Sequence, residues 1–534
     1  MPSTPTTKSQ VQAYQFVLRR MQSALVRKDA VMLHDPMRTH SRATIVGVVL
    51  SAIAMLGFVI FGIFKPAAKA PDSGIVIGEQ SGSIYVVAGS PKKLIPTFNM
   101  ASARLILMGQ QQSGEGEQGG NQQAAAPAEV PPAEVVPDEQ LQDIPRGRLQ
   151  GIPDGPDLIP SKDQMISSSW AVCDEVELDT SLNPSEQFDP STRETTVFGG
   201  VDNLGRELAK EEALLAAADD GRTYLIYRQS GDGNTVRAAV DMDDSAVTSA
   251  LNLQSVQVRK ISMGLLNAIP AVGDLSVPDM DNLGGTPQFN LNEMSVGSVF
   301  RIEDTTGVEF WVVLDTGIQQ IPASLAEMIR FTESTSDELP TIAPSNTQAV
   351  TKLQEGTPGA LNVSHYPEIV PTVLKADTRP VSCLGWKVQG EGAERDARTA
   401  LYVNPELPGP KNDQGEVQRV KIGQPSPDGW KVEYFYMQPG FAAAVRGATT
   451  KETFERGSIQ LISDRGVRYG IPNDATAAGL GLSADSLKPA PESIIKLLPV
   501  GASLNAQDAQ RTYDGVQFDP STGSFPDDAA AAGN

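Results

Sequence analysis

Cysteine and histidine are nearly missing from this chain. Among 534 residues there are two cysteines and three histidines. So few thiols exclude a disulfide-dense scaffold and any zinc module built on several cysteines. Two of the three histidines lie before residue 41, so most of the chain lacks the raw material for histidine-based catalysis. Basic charge is also short, with 43 Lys and Arg against 65 Asp and Glu and a formal net charge of −22. A surface of that sign repels phosphate backbones, which argues against binding nucleic acid. No Gly-Lys dipeptide occurs, so a Walker A phosphate loop cannot form. The His-Glu-x-x-His, Cys-x-x-Cys and Gly-x-Ser-x-Gly patterns are missing too, and no Gly-x-Gly-x-x-Gly opens a helix.

What remains of chemical interest is thin. Ser90–Lys93 and Ser493–Lys496 match Ser-x-x-Lys, but the Ser-Asp-Asn and Lys-Thr-Gly partners of penicillin-recognising enzymes do not occur. Asp279–Gly284 resembles the start of a calcium loop, yet its fifth position is Leu283 and the closing glutamate is missing. His365 stands alone in a proline-flanked stretch. These residues predict no catalytic site, no cofactor and no metal.

The positive charge that does occur is concentrated at one end. Residues 1–42 carry +5, which leaves −27 for the rest. The sign changes across residues 43–64, ATIVGVVLSAIAMLGFVIFGIF, 22 residues without a charge. As a helix this run is about 33 Å long, one hydrocarbon core. Signal peptides have shorter apolar runs and shorter leaders, so the spacing predicts a retained anchor. The positive-inside rule then places 1–42 in the cytoplasm and the acidic bulk outside.

Within the arm, Val11, Tyr14, Leu18, Met21 and Leu25 follow steps of 3, 4, 3 and 4 and predict one apolar helical stripe. Thr7 and Gln10 fit a capping box ahead of it. Such a helix either rests on anionic lipid or docks its seam on a cytoplasmic partner.

Outside, residues 109–140 read as an acidic, disordered linker, and 511–534 as a loose tail. Three segments share a plan of hairpin, Ile-Pro and small-residue helix. They begin at Ile84, Phe310 and Ile459; a weaker one begins at Thr223. Asp315-Thr316-Gly317 and Asp464-Arg465-Gly466 predict tight turns with a positive φ at glycine. Each unit is too small to bury a core alone, so the units should pack on a shared body. The only cysteines, Cys173 and Cys383, both fall in the exterior part, where an even pair suggests one bridge; two unpaired buried thiols are the alternative.

The order of these features resembles the EccB family, the single-span core component of actinobacterial type VII (ESX) secretion systems. The resemblance rests on TTKSQVQAYQFVLRRMQSALVRKD and DPMRTHSRA before the span, and on SGSIYVV, LIPTFNMASARLIL and PRGRLQGIPDGPDLIP after it. SSSWAVCDEV and VSCLGWK, around the two cysteines, complete it. It covers roughly 1–510, apart from the 109–140 insert. It implies an α+β fold, a single-span membrane protein with a β-rich periplasmic domain of repeated hairpin-helix (phage-lysin-like) units around a central domain. It further implies one disulfide, self-association through the periplasmic domain, and partners of the EccC, EccD and EccE types in the inner membrane. The resulting division is 1–42 arm, 43–64 span, 65–108 first repeat segment, 109–140 linker, 141–510 repeats and central domain, 511–534 tail. The expected function is a structural one, with the arm stripe as docking surface; an ATP-hydrolysing role, attached to some members, and cell-wall binding are the alternatives.

Overall fold

In this computed structural model the described residues are 7–28, 36–64, 70–114, 131–179, 181–183, 191–231, 233–305, 307–333, 339–423, 430 and 432–513. The chain divides into two compact units, Met1–Lys69 and Ala70–Asn534.

The first unit contains two helices. Lys8–Arg27 opens at Thr7, whose backbone N–H donates to Gln10 Oε1 at 3.0 Å, as a capping box requires. It stops at Lys28, which takes the left-handed conformation and donates its N–H to the Ala24 carbonyl. The second helix is Pro36–Phe64. Proline suits a first helical position because its fixed φ is already helical and its missing N–H would have had no partner. Arg42–Gly62 of this helix is long and apolar enough to cross a membrane, and none of it is buried within the protein.

The second unit is built from four repeats and a central sheet. Each repeat begins with three antiparallel strands and a helix. The first has Gly74–Gly78, Ile84–Ala88, Lys93–Thr97 and helix Met100–Gly114. The second has Glu212–Ala217, Thr223–Arg228, Thr235–Val240 and helix Ser245–Ala250. The third has Val299–Glu303, Val308–Val313, Ile318–Ile321 and helix Ala323–Glu333. The fourth has Ala442–Ala448, Ile459–Ser463, Arg468–Ile471 and helix Asp474–Gly479. Asn99, Asp244 and Asn473 open three of the helices by accepting backbone N–H groups of their first turns. Pro322 takes that place in the third repeat.

After its helix each repeat returns twice to its own sheet. The chain first lies parallel to the opening strand, with Glu134 beside Val76, Arg259 beside Ala216, Thr341 beside Arg301 and Lys488 beside Val445. Eleven or twelve residues on, it lies parallel to the third strand, with Arg146 beside Leu94, Ala271 beside Arg237, Lys352 beside Ile318 and Val500 beside Arg468. Both sheet edges, which would otherwise present unpaired N–H and C=O groups, are thereby covered. From the opening strand to the first return is 43 residues in the second repeat, 40 in the third and 43 in the fourth, but 58 in the first.

The extra length of the first repeat coincides with the expected linker, and the structure narrows that segment. Residues 109–114 continue a helix, and Glu134–Val136 form a return strand. Val136 is buried beside the first sheet, and Asp138 accepts from Ser81 N and Ser81 Oγ at 2.8 and 3.0 Å. Three residues, only two of them apolar, suffice for a strand when an existing edge receives them, whatever the composition around them. Residues 115–130 lie outside the described residues, as does 514–534 of the expected tail.

The turn glycines differ in their reasons. Gly466 has φ +78°, as expected of Asp-x-Gly. Gly317 does not take a positive φ. A Cβ there would come within 2.4 Å of the Thr351 carbonyl, which accepts from Ile318 N, so the returning backbone requires glycine.

The repeats pair by packing helices. The first and fourth share a core containing Ile75, Leu105, Leu461 and Leu480. The second and third share one containing Leu225, Leu251, Val312 and Ile329. The central sheet runs in the order Asp396–Asn404, Val381–Gln389, Trp170–Glu177, Thr192–Gly199, Tyr434–Tyr436, Val420–Lys421. Its Trp170, Val172 and Phe435 face joins residues of the second and fourth repeats, such as Leu214 and Ile494, in one core.

Candidate interaction surfaces and the central disulfide

The arm helix carries Val11, Tyr14, Leu18, Met21 and Leu25, and all five are exposed, from 39% at Leu18 to 82% at Leu25. At about 100° per residue they fall within an arc of about 80°. Val17, half exposed, borders the arc. Phe16, 56% exposed, lies on the other side of the helix. Reading along the 3-4 steps from Val11 passes over both residues; a full helical projection finds them. Lys8, Arg19 and Arg20 lie off the stripe.

Cys173 and Cys383 sit directly opposite each other on adjacent antiparallel strands of the central sheet and are joined, with S–S 2.05 Å. Both are fully buried, on a face with Ala171, Phe198, Leu407 and Tyr436. Strand alternation sends the next residue, Asp174, to the opposite face, towards the second repeat. There its carboxylate accepts from Thr195 Oγ1 at 2.9 Å, Ser262 Oγ at 2.8 Å and Ser262 N at 2.6 Å. Ser262 Oγ in turn accepts from Leu265 N, capping helix Met263–Ala268. Burial pushes the Asp174 carboxyl above the ordinary range, while the Arg193 charge and these hydrogen bonds pull it down. Arg259, fully buried, is drawn down to about 10 by the same desolvation, and the Asp174 charge opposes that shift. The sequence gives no sign of this cluster, because an aspartate inside an apolar strand carries no motif.

The remaining candidates scatter. His365 lies in the segment between the last return of the third repeat, Lys352–Leu353, and the strand Thr372–Val373, its ring 4.1 Å from that of Tyr366. Tyr227 Oη donates to its carbonyl, and burial lowers its imidazole pKa. Ser90 precedes a cis proline in a surface turn, and Ser493 lies in helix Glu492–Ile495. Among the described residues no group of three or more His, Cys, Asp or Glu is placed to hold a metal ion. A cleft of about 1080 Å³ is lined by Glu175, Glu194, Glu433, Arg193, Lys421 and Tyr434. Arg419 pairs with Glu194 at 3.4 Å and stacks over Tyr434, so the charges there largely offset one another. These surfaces can bind and brace.

The family described as type VII secretion system ESX-1, transport TM domain B, matches residues 3–518. The chain is 30% identical to the ESX-3 secretion system ATPase EccB3 of Mycolicibacterium smegmatis, covering 97% of this chain and 92% of that protein. It is 29% identical to the ESX-1 secretion system ATPase EccB1 of Mycobacterium tuberculosis, over 99% of each. Among solved structures it resembles a chain of an intact ESX-5 inner membrane complex, with TM-score 0.65, 25% identity and coverage of 98% and 99%. It also resembles the EccB3 dimer from the ESX-3 core complex, with TM-score 0.63, 27% identity and coverage of 82% and 100%.

Proposed function

Because this chain belongs to the EccB family of type VII (ESX) secretion, we propose that it works as a structural core component of such a secretion complex. It is anchored in the inner membrane and scaffolds the assembly through its folded exterior. The observation that carries this reading is the likeness over 98% of the chain to a subunit of an intact ESX-5 inner membrane complex. Self-association follows from the likeness to the EccB3 dimer.

The orientation is part of the proposal. The +5 arm stays in the cytoplasm and the −27 body lies in the periplasm, on the charge asymmetry about the span. The arm stripe of Val11, Tyr14, Leu18, Met21 and Leu25 docks on other core components, of the EccC, EccD and EccE types. Deletion of residues 1–42 then abolishes incorporation into the complex, measured by affinity purification from native membranes. Normal incorporation without the arm refutes that role.

The relatives are named as ATPases, so nucleotide turnover is the second reading. In this chain it would need a phosphate cradle other than a P-loop. Turnover by the purified exterior fragment that disappears on a single point substitution supports it, and activity that separates on further purification removes it.

A further inference from the structure

We infer that residues 361–373 are a latch that fixes the third repeat against the second. When its fastening at Gln319 is broken, the third repeat swings away as a folded unit and the rest of the exterior body stays closed. The inference concerns the folded exterior alone and does not depend on the scaffold role. The third repeat is outboard. Its strands have a side-chain period of two, and both faces of its sheet are apolar. Val299, Val312 and Ile321 face the core shared with the second repeat. Phe300, Trp311 and Val313 build a separate core with Leu291 and Ile342, all within the third repeat and its flanks. The core that joins the central sheet to the second and fourth repeats contains, among the described residues, none from 270 to 373. The third repeat is thus held by one apolar face, and it keeps a core of its own when that face is uncovered.

The latch crosses that seam and bonds to both sides of it. It inserts Leu361 and Tyr366 into the shared core. On the third repeat, the Leu361 N–H donates to Gln319 Oε1 at 2.7 Å and the Leu361 carbonyl accepts from Gln319 Nε2 at 2.8 Å. Ser324 Oγ donates to the Pro367 carbonyl, and Ala323 N to the Glu368 carbonyl at 3.0 Å. On the second repeat, Tyr366 Oη donates to the Ser276 carbonyl at 2.6 Å, and Tyr227 Oη to the His365 carbonyl. Thr372–Val373 then pairs with the opening strand Glu212–Ala217. Gln319, in strand Ile318–Ile321, is 2% exposed. Its amide offers one donor and one acceptor to a single backbone residue, as a neighbouring strand would. Without it the buried N–H and C=O of Leu361 lose their partners, which disfavours the closed seam. No group of the central sheet is touched by that loss. A unit with few ties to the main core opens at lower free energy than the whole protein unfolds. Opening here uncovers the facing helices Ser245–Ala250 and Ala323–Glu333 and changes the shape of the exterior body without melting it.

The test uses the full-length chain purified in detergent. Cys173 and Cys383 are joined, so a single introduced cysteine is the one reactive thiol. Four buried positions report by their rate of maleimide labelling. Ala250→Cys and Ala326→Cys sit in the core at the seam, Val313→Cys in the third repeat's own core, and Ala490→Cys in the core of the central sheet. Gln319→Met is expected to speed labelling of the two seam positions at least ten-fold and to leave Val313→Cys and Ala490→Cys unchanged. Unchanged labelling at the seam overturns the latch. Faster labelling at the seam and at Val313→Cys, with Ala490→Cys unchanged, shows the third repeat unfolding rather than swinging, and overturns it too. If Gln319→Met speeds all four, the outcome passes to Ser324→Ala, which removes only the bond to the Pro367 carbonyl. Acceleration confined to the seam in that variant sustains the latch, and any other pattern overturns it.

Discussion

Replacing Asp174 tests how the central sheet is held to the second repeat. The carboxylate accepts three hydrogen bonds from two elements, the strand Thr192–Gly199 and the cap of helix Met263–Ala268. It also supplies counter-charge to the buried Arg259, whose Nη1 finds no hydrogen-bond partner. Asp174→Ala leaves three donors and a buried cation uncompensated. Removing one member of a buried charged group typically costs about 3–5 kcal/mol. Summing the hydrogen bonds separately at about 1.5–3 kcal/mol each would overshoot, because the freed donors recover part of that loss by relaxation or water. Asp174→Asn preserves shape but turns an amide N–H₂ towards donors, so we expect a cost of about 2–4 kcal/mol. The double change, Asp174→Asn with Arg259→Met, should cost less than the sum of the two single changes, by more than about 1 kcal/mol, since each removes the reason for the other. The assay is urea unfolding of residues 70–534 followed by tryptophan fluorescence. Trp170 and Trp386 lie opposite each other on the strands that carry Asp174 and Cys383 and report on this region. If Asp174→Asn unfolds within 1 kcal/mol of the parent and the cycle is additive, the cluster does not hold the sheet to the repeat.

Three further outcomes are expected. Non-reducing mass spectrometry should recover a Cys173–Cys383 crosslinked peptide, and Cys173→Ser should lose up to about 5 kcal/mol, since the bridge closes a separation of 210 residues; two alkylatable thiols in exported protein would refute the pairing. His365 is held below its ordinary value of 6.5 by burial, so the folded state binds its proton later than the unfolded state. Its contribution is full above pH 6.5 and is lost as pH falls through the folded value; melting curves between pH 5 and 8 should slope less in His365→Gln, and unchanged slopes would contradict this. Truncation after Gln510 should raise amide exchange in Lys93–Thr97 and Leu149–Gly151, because Tyr513 N donates to the Leu149 carbonyl and its ring meets Phe98 at 5.2 Å; truncation after Tyr513 should not, and equal exchange in both would show the contact to be idle.

The candidate surfaces were unevenly legible. The arm stripe could be read because helical periodicity is local, and so could the capping box of Thr7 and Gln10. Phe16 was missed because a single aromatic off the stripe breaks no pattern. The cysteine pair followed from there being no other thiols. Asp174 was invisible, since its partners Thr195 and Ser262 are 21 and 88 residues away.

By itself the sequence determined the long apolar run, the charge step across it and the hairpin-helix repeats. Each depends on composition or on periodicity within one segment, where neighbouring residues decide; the family resemblance rested instead on several separated motifs in order. The tertiary structure alone decided how each repeat closes. A return segment such as Arg259–Lys260, or the bridge at Thr341, is too short to carry a period. It becomes a strand only because an open edge built far away in sequence supplies its hydrogen bonds. The same reason made Glu134–Val136, inside an acidic proline-rich run, a strand, and it made Gly317 a matter of the approaching Thr351 carbonyl rather than of its own turn.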